Sequence, residues 1–120
     1  MHDGQSTENK DVLRIVAGAK TSASWRTTVK LKQGRYRFQG RARVTGVTPL
    51  PFGSHHGASL RVAGKTQRSA ELLNTSDWEE LKIEVEVRAL EEDVVLICQL
   101  RATAGEARFD KASLRLVRQR

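Results

Sequence analysis

Two adjacent histidines, a pair of in-phase glutamates, a lone cysteine and a series of spaced arginines are the side chains of this 120-residue sequence that could do chemistry. On an extended chain the rings of His55 and His56 point to opposite sides, so they chelate one ion only if the backbone turns there, and a surface-loop role is the simpler reading. The run Gly53-Ser54-His55-His56-Gly57 lacks the spacing of a nucleophile elbow, and the sequence has no glycine loop of the phosphate-cradling kind. Glu84 and Glu86 would share one strand face ~7 Å apart, within reach of a glycosidase carboxylate pair, although alternating solvated glutamates are equally what an ordinary strand presents. Cys98 falls in phase with Val94, Leu96 and Leu100, which marks a small core residue rather than a nucleophile. As the sole cysteine it excludes an internal disulfide. No constellation for catalysis emerges, and the chain reads as a binding protein, not an enzyme.

The more promising pattern is a set of planar donors. Gln39, Arg41 and Arg43 alternate outward from one strand, Ser59 and Arg61 from a second, and Gln99 and Arg101 from a third. If those strands are neighbours, guanidinium and amide groups form a lattice suited to hydroxyls and carboxylates, because each offers several fixed hydrogen-bond donors. The alternative pairs these arginines with Glu84 and Glu86 across the strands. Trp25 and Trp78 could stack on a sugar, but both fall in phase with inward residues or stand at the start of a strand, so core roles are expected. Asn74-Thr75-Ser76 matches a glycosylation sequon and reads as a turn.

Hydrophobic alternation of period two supplies the elements that must hold these groups, and no helical stripe of comparable strength appears. Trp25 to Leu31, Tyr36 to Val44 and Leu81 to Val87 each have one apolar and one polar face. Gln33-Gly34 is read as a turn between the first two. Val94 to Ile97 is apolar on both faces, as in a central or covered strand, while Val12–Val16, Leu60–Val62 and Ala112–Leu116 add shorter runs. Gly40 is small where an inward side chain is expected, which signals a bend or a close approach. Seven or eight strands with turns every 8 to 15 residues predict an all-β, two-sheet antiparallel sandwich or barrel. The longest irregular stretch is Thr45 to Gly57, carrying Phe52 and both histidines. Residues 1–11 read as a flexible tail and 12–120 as one domain, in line with ~100–200 residues per domain.

Charge is distributed in blocks. The net charge is +7, yet between Val12 and Ala70 there are twelve Lys or Arg and no acid, whereas Glu71 to Asp93 carries nine acids against Lys82 and Arg88. Such blocks suit an anionic partner, and equally a sheet that pairs a basic strand with an acidic one. Aromatics make up only 5% of the chain, so a platform of many stacked rings is excluded and a nucleic-acid partner would be held by phosphate contacts alone. No stretch approaches the ~18 apolar residues of a membrane span, and Met1 to Asp11 lacks the apolar core of a secretion signal.

The string Gly105-Glu106-Ala107-Arg108-Phe109-Asp110-Lys111-Ala112-Ser113-Leu114 resembles the closing motif of carbohydrate-binding modules with the galactose-binding-like jelly roll, where a glycine-initiated strand runs into Phe-Asp-Asp-(Val/Ile)-Ser-Leu. Gly34-Arg35-Tyr36-Arg37-Phe38 is similar to the family's Gly-x-Tyr-x-Phe strand, and Trp78 to its Trp-x-x-(Leu/Val) motif. The resemblance spans about residues 25–118. It implies a non-catalytic glycan-binding module of jelly-roll type, of a kind often attached to an enzyme, and secreted or on the cell surface; a monomer is expected. It also implies that Asp110 helps hold a structural Ca2+, although Lys111 stands where the family often has a second acid. With the basic residues, the expected ligand is an acidic polysaccharide docked on Gln39, Arg41, Arg43, Arg61, Gln99 and Arg101, with Phe52, His55 and His56 at the rim. The rival is a structural or protein-interaction sandwich that binds no glycan.

Overall fold

The structure, a computed structural model, describes residues 5–8, 12–17, 21–50, 56–65 and 68–119, and the side chains of these except at 5–8 and 21–23. The alternating runs become seven strands: β1 (Gln5–Glu8), β2 (Val12–Val16), β3 (Thr21–Thr48), β4 (Gly57–Val62), β5 (Asn74–Ala102), β6 (Ala104–Asp110) and β7 (Arg115–Gln119), with one 3-10 turn at Lys111–Ser113. All pairings are antiparallel, in the order β1-β2-β6-β3-β5-β4, with β7 on β3.

Two of these strands are too long to be straight. At ~3.3 Å per residue the 28 residues of β3 would reach ~90 Å, whereas the longest dimension of the molecule is 41 Å. The β3–β5 ribbon therefore bends back on itself, at the register break between Lys32 and Gly34 and opposite it at 88–90. Layer A holds β1, β2, β6, β7, residues 34–48 of β3 and 74–87 of β5; layer B holds β4 with residues 21–32 of β3 and 91–102 of β5. The Tyr36 hydroxyl donates to Lys32 O at 2.7 Å, Gln33 Nε2 to Arg88 O at 3.0 Å and Arg118 Nη2 to Gln33 O at 3.0 Å, tying the bend across both strands and β7.

The inward phase of each strand fills one core. Leu13, Phe109 and Ala42 sit side by side across layer A, and Trp25, Cys98 and Leu60 across layer B. Phe109, Ile15, Leu60, Leu81 and Leu100 are essentially inaccessible, each contributing roughly 1.5–3 kcal/mol by burial. The run around Ile97 is central in layer B and covered on its second side, as its composition predicts. The architecture is the all-β jelly-roll sandwich expected.

Local expectations differ in four places. Gln33-Gly34 is a corner within a continuous strand, because both flanks pair with the same partner strand. The segment from Thr45 to Thr48 belongs to β3, which pairs there with β6 despite its glycine. The supposed tail contains β1, whose backbone bonds to β2 leave no mark in a polar sequence. The last alternating run is interrupted: Asp110 caps the 3-10 turn by accepting from Ala112 N, and only then does β7 begin.

Candidate functional site

Every second residue of layer B faces away from the core, and register alone places three arginines in a line. Arg26 of β3 and Arg61 of β4 both lie opposite Ile97 of β5, and Arg61 also bridges to Arg68. A second row sets Ser24 and Ser59 on either side of Gln99, and Arg101 follows one row further along β5. Ile97 is fully buried although it points outward, and Gln99 and Ser59 are nearly so. This is a dry floor with polar walls.

The polar groups are partly coupled. Arg61 Nε donates to Gln99 Oε1, which fixes the guanidinium over the floor, and Arg26 Nε donates to Ser24 Oγ at 3.2 Å. Ser69 ties the Arg68 segment to β4, since its hydroxyl accepts from Leu60 N at 2.8 Å. Arg68 Nη1, by contrast, is buried without a hydrogen-bond partner. None of the ion pairs among the described residues includes Arg26, Arg61 or Arg68. Burial lowers the Arg61 pKa from its usual value, and the neighbouring charges of Arg68 and Arg26 add to the effect. An arginine stays protonated regardless, so the consequence is a charged site that gains from an arriving anion.

The donor lattice expected from the sequence divides in two. Arg61, Gln99 and Arg101 share the outer face of layer B. Gln39, Arg41 and Arg43 lie on layer A, whose outward side faces the opposite way, because 34–48 pairs with 74–87 and β6 rather than with β4. Arg41 is held by Asp110 at 2.6 Å, and Arg43 stacks over Trp78 with 5.8 Å to the ring centroid. Glu84 takes Arg37 at 3.0 Å and Glu86 takes Arg88 at 3.3 Å, so the acidic strand is matched to surface neighbours and not to the layer B arginines. His56 accepts from Leu50 N through Nδ1 at 3.2 Å, closing the loop after β3. Phe52 and His55 lie outside the described residues.

Register and burial also place the two tryptophans and the cysteine. Trp25 packs against the core as expected, with its Nε1 buried and unpartnered. Trp78 does not: the register shifts between Ala42 and Val44, and Trp78 emerges on the outer face at 37% exposure. Cys98 is 4% exposed, and burial pushes its thiol up to about 12, which removes it as a nucleophile at neutral pH. The Asp110 carboxylate already has two partners. One of its oxygens accepts from Ala112 N at 3.1 Å and the other meets Arg41, and among the described residues no three His, Cys, Asp or Glu side chains gather to hold a metal. Among these residues no helix is long and apolar enough to cross a membrane.

Arg26, Arg68 and Ile97 were not singled out by the sequence. Arg26 alternates outward like its neighbours, but nothing local tells that Arg68, in a separate segment, completes its row.

No protein-family model and no curated protein matches the chain by sequence. Solved structures do match by shape. One, described as "CBM4 structure and function", superposes with a TM-score of 0.62 at 14% identity, over 98% of this chain and 79% of its own. Another, TmCBM61 in complex with β-1,4-galactotriose, gives 0.59 at 18% identity, over 93% of this chain and 73% of its own. The chain thus has the jelly-roll fold that these carbohydrate-binding modules adopt.

Proposed function

We propose that this chain is a non-catalytic carbohydrate-binding module, appended to a larger enzyme, whose layer B face docks an acidic polysaccharide. The observation that carries the reading is the row of Arg26, Arg61 and Arg68 over Ile97, built without an acid among the described ion pairs. The shared fold supports it, since a β-1,4-galactotriose complex is known for one neighbour. Guanidinium forks would bind uronate carboxylates or sulfate esters with two parallel hydrogen bonds, and Ser24 would meet a ring hydroxyl. Ile97, fully buried, is the apolar support on which the guanidinium row lies. With no aromatic platform among the described residues of this face, affinity rests on charge-assisted bonds, each worth ~1.5–3 kcal/mol.

Affinity electrophoresis and calorimetry with polygalacturonate, a sulfated galactan and a neutral galactan test this. The acidic polymers are expected to retard the protein, and Arg61→Gln to weaken that binding about tenfold, the equivalent of ~1.4 kcal/mol. Absence of binding to all three polymers would remove the proposal.

A further inference from the structure

The outer face of layer A, directed away from the site just described, repeats its main device in different residues. Arg14 of β2 and Arg43 of β3 both lie opposite Arg108 of β6, so three guanidinium-bearing residues stand abreast on adjacent strands. At ~4.8 Å per strand the row is ~10 Å wide. Glu106 serves two of them: Arg14 Nη2 approaches at 2.7 Å, and Arg108 Nε donates to its other oxygen. Those bonds hold the Glu106 carboxyl below the usual carboxylate range, led by the Arg14 hydrogen bond. A single carboxylate against three cations leaves the row positive.

Two features distinguish this row from a solvated surface. It borders a groove of about 650 Å³ lined by Arg43, Thr45, Thr103, Gly105, Glu106 and Arg108. Arg43, the groove's wall, is also the residue stacked on the exposed indole of Trp78. A groove with hydroxyls, unbalanced guanidinium charge and an adjoining half-exposed tryptophan combines the three contacts an acidic sugar uses: oriented hydroxyl bonds, anion pairing and ring stacking. Arg41 takes no part, being paired with Asp110.

We infer that the groove beside Arg43 and Trp78 is a second binding site for acidic oligosaccharide, so that one chain engages two polysaccharide strands from opposite faces. The inference rests on the proposed glycan-binding role. Its consequence is bivalency: the module would crosslink a uronate polymer rather than merely adhere to it.

A chain carrying Trp25→Phe leaves Trp78 as its only indole emitter. Titration with tetragalacturonate should then change Trp78 emission saturably, and calorimetry of the unaltered chain should give two sites. Arg43→Ser with Trp78→Ala should reduce the count to one with the remaining affinity unchanged, while Arg61→Gln with Arg68→Gln should leave the Trp78 response in place. Circular dichroism on each variant confirms that it folds. A flat Trp78 signal with a single site that survives Arg43→Ser overturns the second site and leaves the module reading intact. No binding by the unaltered chain overturns both.

Discussion

Arg68 holds a buried guanidinium nitrogen with no acceptor beside two further cations, an arrangement that folding alone would not favour. Arg68→Met keeps the aliphatic stem and deletes both the orphaned donor and the repulsion. It is expected to raise the unfolding free energy by about 1 kcal/mol while weakening acidic-glycan binding about tenfold. Urea denaturation and calorimetry on the same variant check the two halves, and a variant both less stable and equally tight would contradict the assignment. Glu106 makes the opposite kind of statement. Its folded pKa is depressed, chiefly by the Arg14 hydrogen bond, so its stabilisation is complete above the unfolded value of ~4.3 and disappears as pH falls through the lower folded value. Glu106→Gln should therefore lose stability near neutrality and show a shallower decline below pH ~4, measured as the urea midpoint against pH. At this scale the sequence was informative where phase is regular. Cys98 in step with Leu96 and Leu100 could be placed in the core, whereas Trp78 could not be assigned a side, because the bulge that turns it outward depends on how β5 meets β3.

Two glycines separate the elements' tolerance for change. Gly105, the second residue of β6, has φ +110°, and a Cβ there would lie 2.6 Å from both Gly46 O and Val47 Cα, which are backbone atoms of the adjoining strand. Gly40 has no such conformational demand, and its Cβ would meet the tip of Leu114 at 2.5 Å, a side chain able to move. Gly105→Ala should therefore lower stability by roughly 2–4 kcal/mol and Gly40→Ala by about 1, compared by chemical denaturation. Equal losses would show that Leu114 is as rigid as the backbone. Gly40 was recognisable in the sequence as a site of close approach, although its neighbour proves to be the residue after the 3-10 turn. Strand content was legible because alternation is a local property. The bend of the β3–β5 ribbon was not, since pairs such as Thr21 with Ala102 are fixed by packing between residues remote in the chain. That bend is what sends Arg41 and Arg43 to one side and Arg61 and Arg101 to the other.

Folding redistributes the charge blocks of the sequence into two unequal fields. The acidic first half of β5 lies beside the basic second half of β3, where Arg35, Arg37 and Arg41 face Glu86, Glu84 and Glu80, so much of that charge cancels within layer A. Part of the positive excess that remains stands in the layer B row and in the Arg14–Arg108–Arg43 row. Concentrated charge of one sign draws a polyanion from beyond contact distance, and salt shortens that reach from ~10 Å at 0.1 M toward ~3 Å at 1 M. Stopped-flow association with oligogalacturonate, followed by tryptophan emission, should slow about tenfold or more between 50 and 500 mM NaCl, with a much smaller change in the dissociation rate. Charge-reversing Arg88, which pairs with Glu86 at 3.3 Å at the bend of the ribbon, should have little effect on that slope, whereas Arg26→Glu should flatten it. An association rate indifferent to salt would mean that the two arginine rows do not act as the protein's attracting surface, whatever binds there.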